Sequence, residues 1–253
     1  MNGLYLSAMG AKVQDARMDV IANNLANVQT TGYRRDQAVF RQRLAASLED
    51  PRFSGAGRTR DEAIGGGVFL AKVASLDEPG PLDRTERPLD LAIDGQGFLQ
   101  VRSRDGGLFY TRAGNLRLDE EGTLVTADGR YRVQGQGGGD INLPQGHVEI
   151  GEDGAIFVDG QPQAQLGLLL PSDMRLLSKR GDNVWGKDGP VGDLPSSAKI
   201  RQGFLEGSTV EPMHEMTEMI EVQRTYEMNM KAMQIQDAIL ARAVGDVGRA
   251  TAS

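Results

Sequence analysis

Few residues in this chain are of types and spacings that could do covalent chemistry. It has two histidines, His147 and His214. Neither has a nucleophile or a metal-ligand neighbour at a familiar spacing. His214 is followed by Glu215, the opening of a zinc-protease motif, but Glu218 stands where the second histidine would be. Asp119, Glu120 and Glu121 are of the right type for acid/base work on a sugar. They fall at a turn signal, and a solvated turn is the expectation. The glycine pairs Gly55/Gly57 and Gly135/Gly137 stand alone, without a Walker or Rossmann fingerprint. The many Asp-Gly dipeptides lack the alternating acidic ligands and distal Glu of a calcium loop. Lys179-Arg-Gly-Asp182 holds an adhesion-like tripeptide whose default reading is an ordinary turn. Cysteine is absent, which excludes disulfides and thiolate metal sites. No catalytic, cofactor-binding or metal-binding residue is expected, and no cofactor.

The chemistry that remains is packing. Leu4, Ala11, Met18 and Leu25 lie seven apart, with Ala8, Asp15 and Ala22 between them. This is a heptad seam over the first helix. Its alanines let a partner helix approach closely, and Asp15 is its polar member. Asn23, Asn24 and Asn27 favour caps and turns over helix interiors. Gly32, after Thr30 and Thr31, is free to take a positive φ and stop the helix. At the other end of the chain Met219, Tyr226, Met233, Leu240 and Val247 repeat the seven-residue spacing. Met216, Gln223, Met230, Asp237 and Val244 run three residues ahead of them. The pattern predicts a helix from about Pro212 to Val247, roughly 50 Å long at ~1.5 Å per residue. Pro212 fits its first turn, and Thr209 is the expected N-cap. Asp15, Gln223 and Asp237 would set register or face the lumen of an assembly. Six of the ten methionines fall between Met213 and Met233. They suit either simple core filling or a helix that meets several non-identical neighbours. The seam does not separate pairing within a chain from pairing between chains.

Composition bounds the rest. The chain has 253 residues and a net charge of −7, and no basic patch dominates, so nucleic acid is not an expected partner. No run of about 18 apolar residues is present, so no membrane insertion is expected. The start lacks a basic region, an apolar core and a small-residue cleavage site, so no cleavable secretory signal is expected.

Between the two helices the chain is Gly-rich and strand-like. Tyr33 to Leu48 is basic, with Val39, Phe40, Leu44 and Leu48 at helical spacing. Arg52 to Gly67 is polar and Gly-rich. It reads as a flexible loop or as a segment that orders only against a neighbouring subunit. Val68 to Val73 reads as a strand. From Leu89 onward Asp-Gly or Glu-Gly punctuates nearly every apolar run, the signature of tight hairpin turns. Their spacing of roughly 8–12 residues implies an all-β sandwich or barrel-like domain. The fold class is therefore α+β. The expected division is a terminal helical domain of 1–32 and 208–253, connecting segments of 33–81 and 191–207, and a central β domain of 82–190.

At five places the residues resemble a known family. Ala22-Asn-Asn-Leu-Ala-Asn-Val-Gln-Thr-Thr-Gly-Tyr33 is similar to the N-terminal signature of the bacterial flagellar rod and hook family. Arg87-Pro-Leu-Asp-Leu-Ala-Ile-Asp-Gly-Gln-Gly-Phe98 and Tyr110-Thr-Arg-Ala-Gly-Asn115 resemble its middle motifs. Gln202-Gly-Phe-Leu-Glu-Gly-Ser-Thr-Val210 and Glu215-Met-Thr-Glu-Met-Ile-Glu-Val-Gln-Arg-Thr-Tyr-Glu227 resemble its C-terminal ones. The length and single modest β domain look like the rod members. The start and the tail look most like the proximal-rod member, with the distal-rod member second. Thr209 stands where the family often has Asn. The resemblance implies a structural, non-enzymatic subunit of the basal-body rod, spanning the periplasm. It implies export through the flagellar type III apparatus without a cleaved signal. The partners it implies are other rod and hook-family subunits and copies of the chain itself. The implied assembly interface is Leu4, Ala11, Met18, Leu25, Met216, Met219, Tyr226, Met230, Met233 and Leu240, with the helix-end motif Asn23, Asn24, Asn27 and Gly32. Two other classes compete: a cell-wall-active enzyme or binding module on the β domain, and a coiled-coil adaptor that never polymerises.

Overall fold

The structure is a computed structural model that describes residues 2–42, 68–75, 78–181, 183–188 and 192–250. The segment Arg52–Gly67 lies outside the described residues, as do Leu44, Leu48 and Asp182. The chain forms two compact units. One is Met1–Ala26, Arg35–Leu76 and Glu211–Ser253; the other is Asn27–Arg34 and Asp77–Val210.

The first unit is built on helix α1 (Asn2–Ala26) and helix α2 (Pro212–Ala250). They pack along each other within one chain. A two-stranded antiparallel hairpin, β1 (Asp36–Gln42) with β2 (Val68–Ser75), packs on α1. The helical spacing around Val39 and Phe40 is thus overturned. Both residues lie in β1, opposite Lys72 and Leu70, with a register irregularity between them. A β-branched and an aromatic residue suit a pleated surface, and the partner strand lies too far along the chain for a local pattern to reveal. The Arg17 guanidinium sits 5.3 Å from the centre of the Phe40 ring. Pro212 opens α2, and Glu211 precedes it, accepting the Glu215 N–H at 3.1 Å. The cap is therefore not Thr209.

The second unit is almost entirely antiparallel sheet. Its largest sheet has nine strands. Seven neighbours run in the order Leu177–Lys179, Val184–Lys187, Leu108–Thr111, Phe98–Ser103, Tyr131–Val133, Leu124–Thr126 and Leu116–Leu118. Leu168–Pro171 also pairs with Phe98–Ser103 and with Asp193–Pro195. Val148–Ile150, Ala155–Val158 and Gln161–Gln165 form a separate three-stranded sheet. Lys199–Gln202 and Phe204–Glu206 return to pair with Leu91–Asp94 and Leu82–Arg84. Between these sheets lies one continuous apolar cluster, including Leu91, Leu99, Val101, Leu124, Ile156 and Ile200. A smaller aromatic cluster of Phe98, Tyr110 and Trp185 has edge-on ring contacts. Here the strands alternate as half-buried strands should: Val148, Glu149 and Ile150 read buried, exposed, buried.

Candidate assembly interface

Two consecutive arginines, Arg34 and Arg35, serve different units. In the β unit, the Arg34 Nη2 lies 3.1 Å from the Glu206 Oε1. The Glu206 Oε2 accepts the Arg112 Nε–H at 2.7 Å. All three side chains are almost fully buried. The rest of the Arg112 guanidinium donates to the carbonyls of Gly97 at 2.8 Å and of Ile93 and Gly95 at 3.0 Å. The Glu206 Oε1 also accepts the Gly80 N–H at 2.9 Å. A buried ion pair is tolerable only when its remaining donors and acceptors are met, and Arg112 meets its own with backbone. Glu206 also accepts the Gly32 N–H at its main-chain oxygen, at 2.7 Å. Gly32 has φ +67°, and a Cβ there would stand 2.7 Å from the Arg112 carbonyl carbon. The glycine that ends the first helical stretch is required twice, for its φ and for the approach of Arg112. Gly114 is tighter still, since a Cβ would fall 1.6 Å from the Leu91 carbonyl oxygen. Lys179 and Asn183 donate to the carbonyls of Arg34 and Thr31. The Thr209 N–H donates to the Tyr33 carbonyl at 3.0 Å.

In the helical unit, Arg35 pairs through Nε with the fully buried Glu215 and through Nη2 with Glu218 at 3.1 Å. Asn24 holds the start of β1 by two bonds, donating to the Asp36 carbonyl and accepting the Asp36 N–H, each at 2.9 Å. Its amide also donates to the Glu215 Oε2 at 3.3 Å. Of the helix-end asparagines, Asn24 is thus buried and bridging, while Asn23 is exposed and Asn27 half-buried. Sequence reasoning missed Arg34, Arg35, Arg112, Glu206 and Glu215 as a charged framework. The available signal was a pair of adjacent arginines two residues after a helix-stopping glycine.

The α1–α2 packing follows the expected heptads in one register position and shifts in the other. Leu4, Met18 and Leu25 are half-buried and Ala11 is buried. Met219, Tyr226, Met230 and Met233 are half-buried. Most of the intervening positions are displaced by one residue on both helices, while Ala8 and Met230 stay half-buried beside Ser7 and Asn229. Ser7, Gln14 and Ile21 turn inward while Asp15 and Ala22 are exposed, and Glu215, Val222, Asn229 and Gln236 turn inward while Met216, Gln223 and Asp237 are exposed. The expected polar seam members Asp15, Gln223 and Asp237 therefore do not sit between the helices. Alanines at 8 and 22 favoured the displaced reading, although a three-then-four spacing fits α1 equally well.

What Met216 joins is a second apolar stripe. Met213, Met216, Ile220, Met228, Ile235 and Ile239 are all exposed, up to 76% at Met213. At 3.6 residues per turn these six fall within an arc of about 140°, centred opposite the side that carries Val222. Leu240 is also exposed, at 40%. On α1, Tyr5 and Leu6 are exposed. A helix apolar on two opposite sides is built to be covered on both.

The β unit presents a different surface. Asp119 accepts the N–H groups of Glu121 and Thr123 and caps its turn. A cleft of about 450 Å³ there has Glu86 as its carboxylate, paired with Arg84 at 3.2 Å. Burial pushes the Tyr110 phenol up; Lys187 opposes this and Asp193 adds to it, so the hydroxyl stays a donor to Asp193 at 2.7 Å. Among the described residues no cluster of three or more His, Cys, Asp or Glu could hold a metal. No helix among them is long and apolar enough to cross a membrane.

Long paired helices with an uncovered apolar side, carried by a chain whose β unit closes its own core, define a subunit made for assembly. Comparison with known proteins places that class. Residues 4–34 match the family described as flagella basal body rod protein, and residues 92–158 match the flagellar hook protein FlgE/F/G D1 domain. Residues 201–245 match the flagellar basal body rod FlgEFG protein C-terminal family. The rod protein FlgG of Bacillus subtilis is 33% identical over 96% of this chain and 98% of its own length. FlgG of Agrobacterium fabrum is 34% identical over 94% and 96%. FlgF of Caulobacter vibrioides is 33% identical over 98% of both chains. The chain belongs to the family of flagellar basal-body rod proteins, whose members are structural subunits. FlgG and FlgF relatives both match it at about a third identity.

Proposed function

We propose that this subunit builds the rod by covering the outer stripe of α2 with helices of neighbouring subunits, its own copies or related rod and hook proteins, and so transmits torque along the axis. The observation that carries this is the stripe itself, six large apolar side chains left exposed on one side of a helix whose other side is already packed. At ~25 cal/mol per Å2 of apolar surface buried, covering several such side chains supplies a driving force of several kcal/mol per subunit. The subunit resides in the rod where it spans the periplasm and reaches it through the flagellar type III apparatus. Both follow from the family reading.

The proximal, FlgF-like position is favoured by chain economy. The match to Caulobacter FlgF runs over 251 residues and 98% of the chain, that to Bacillus FlgG over 261 residues and 96%. The distal, FlgG-like position is the alternative.

Electron microscopy of basal bodies tests the proposal. A strain lacking the gene is expected to show rings without a completed rod, restored by the unaltered gene and not by Ile235→Asp. Complete rods and hooks in the deletion strain would overturn the rod role, and complete rods with Ile235→Asp would overturn the stripe.

A further inference from the structure

Three pairings fix how α1 lies on α2. A Cβ added at Gly3 would meet the Gln236 amide at 3.1 Å, and one added at Gly10 would meet the Asn229 amide at 3.1 Å. Asn24 is hydrogen-bonded to Glu215. Along α1 these positions rise as their partners on α2 fall, so the helices are antiparallel. Successive members on each helix are seven and fourteen residues apart. All three pairs share one register, and it also puts Arg17 opposite Val222. Three of these four layers are therefore polar, and two consist of a bulky amide seated on a glycine.

We propose that Gly3, Gly10, Asn229 and Gln236 specify the register of the helix pair: only the native register seats both amides on glycines, and a slip of one heptad in either sense leaves one amide without its seat. The repeat is otherwise permissive. Its other inward positions are mostly apolar, with Leu4, Ala11 and Met18 on α1 and Met219, Tyr226 and Met233 on α2. A slip of one heptad would still set apolar residues against apolar ones. It would also move the seats. Slipped one way, Gly10 faces Val222 and Gly3 faces Asn229, so Gln236 loses its glycine. Slipped the other way, Asn229 meets Arg17, and Glu215 loses Asn24. Glycine inside a helix costs about 1 kcal/mol relative to alanine, and an amide in a seam lowers stability while selecting register. Two such losses matched layer for layer are explained by specification and not by strength. The buried Oε1 of Gln236 accepts no hydrogen bond, so its seat is a matter of fit. This inference concerns pairing within one chain and does not depend on what covers the outer stripe.

The absence of cysteine makes the test direct. Ser7→Cys with Ala232→Cys reports the native register in the full chain. Ser7→Cys with Thr225→Cys or with Ile239→Cys reports a slip of one heptad in either sense. Under mild oxidation the unaltered seats should favour the native intrachain cross-link by about tenfold or more, the ratio that ~1.4 kcal/mol of preference gives. Adding Asn229→Leu and Gln236→Leu should raise the slipped cross-links toward equality while helix content by circular dichroism holds or rises. Should that pair fail to fold, Gly10→Asn with Asn229→Gly inverts one seat and is expected to restore exclusive native cross-linking, whereas Gly10→Asn alone should not. Equal yields of the three cross-links with the seats intact would overturn the proposal. So would an exclusive native cross-link after both leucine substitutions, or loss of it in the inverted-seat chain.

Discussion

The β unit and the helical unit handle apolar surface in opposite ways. In the β unit sixteen buried residues form one apolar cluster, and its ionic centre, Arg34, Arg112 and Glu206, is enclosed with its partners. In the helical unit only Ala11, Ile21 and Val222 are buried apolar side chains among those described, while α2 leaves Ile220, Met228, Ile235 and Ile239 each more than half exposed. One unit has finished its core from its own sequence. The other has half a core, and the missing half must come from elsewhere. The contrast explains how one chain can be both a stable globule and a component of a larger structure: the stabilising contacts and the assembling contacts are made by different residues.

Substitutions can break this comparison, beginning with the largest effect. Arg112→Ala removes one of the two cations on the buried Glu206 and the donors to the Gly97, Ile93 and Gly95 carbonyls, and should destabilise the β unit by about 3–5 kcal/mol. Urea unfolding monitored at Trp185, which lies in that unit, reads this, and an unchanged midpoint would show that the buried pair is not what holds the β unit. Leu124→Ala, which opens a cavity in the main cluster, should cost ~2–5 kcal/mol by the same assay. Ile235→Asp should move that midpoint by less than about 0.5 kcal/mol, as surface changes usually do, yet abolish incorporation into rods, measured as subunit content of purified basal bodies. A large loss of stability would show that the stripe belongs to the chain's own core.

The smallest expected effect is electrostatic. Burial raises the Asp140 carboxyl, but the Gln134 amide and the guanidinium groups of Arg102 and Arg132 outweigh it and hold the carboxyl below its ordinary value. A carboxylate depressed in the folded state adds stability that is present above the unfolded value, about 3.9, and is lost as pH falls through the folded one. Asp140→Asn should therefore lower stability slightly at neutral pH and flatten its decline on acidification below about pH 4. An acid limb of unchanged slope would show that Asp140 is not linked to folding.

How far the fold was legible follows the same division. The Asp-Gly and Glu-Gly turns announced the β unit, because turn chemistry is local: Asp128-Gly129 is a turn in sequence and in structure, with Gly129 at φ +73°. The two helices were legible from their heptads, again a local repeat. Their inward faces were only half legible. Alanine at 8 and 22 is compatible with inside and outside alike, and the choice of Ser7, Gln14 and Ile21 is made by α2, which lies some two hundred residues away. β1 was misread for the same reason, since its partner β2 is separated from it by 25 residues outside the described structure. The charged framework was invisible as a set. Arg34, Arg112 and Glu206 lie in three distant motifs, and nothing in any one of them names its counter-ion.

The most direct test of the division of labour is amide hydrogen exchange on the full chain, free in solution and again in purified basal bodies. This division of labour predicts that the strands from Leu91 to Glu206 exchange equally slowly in both, and that α1 and α2, paired but only marginally stable when free, exchange faster than the strands there and become strongly protected in the rod. Strong protection of residues 4–25 and 215–240 in a verified free monomer, unchanged on assembly, would contradict it.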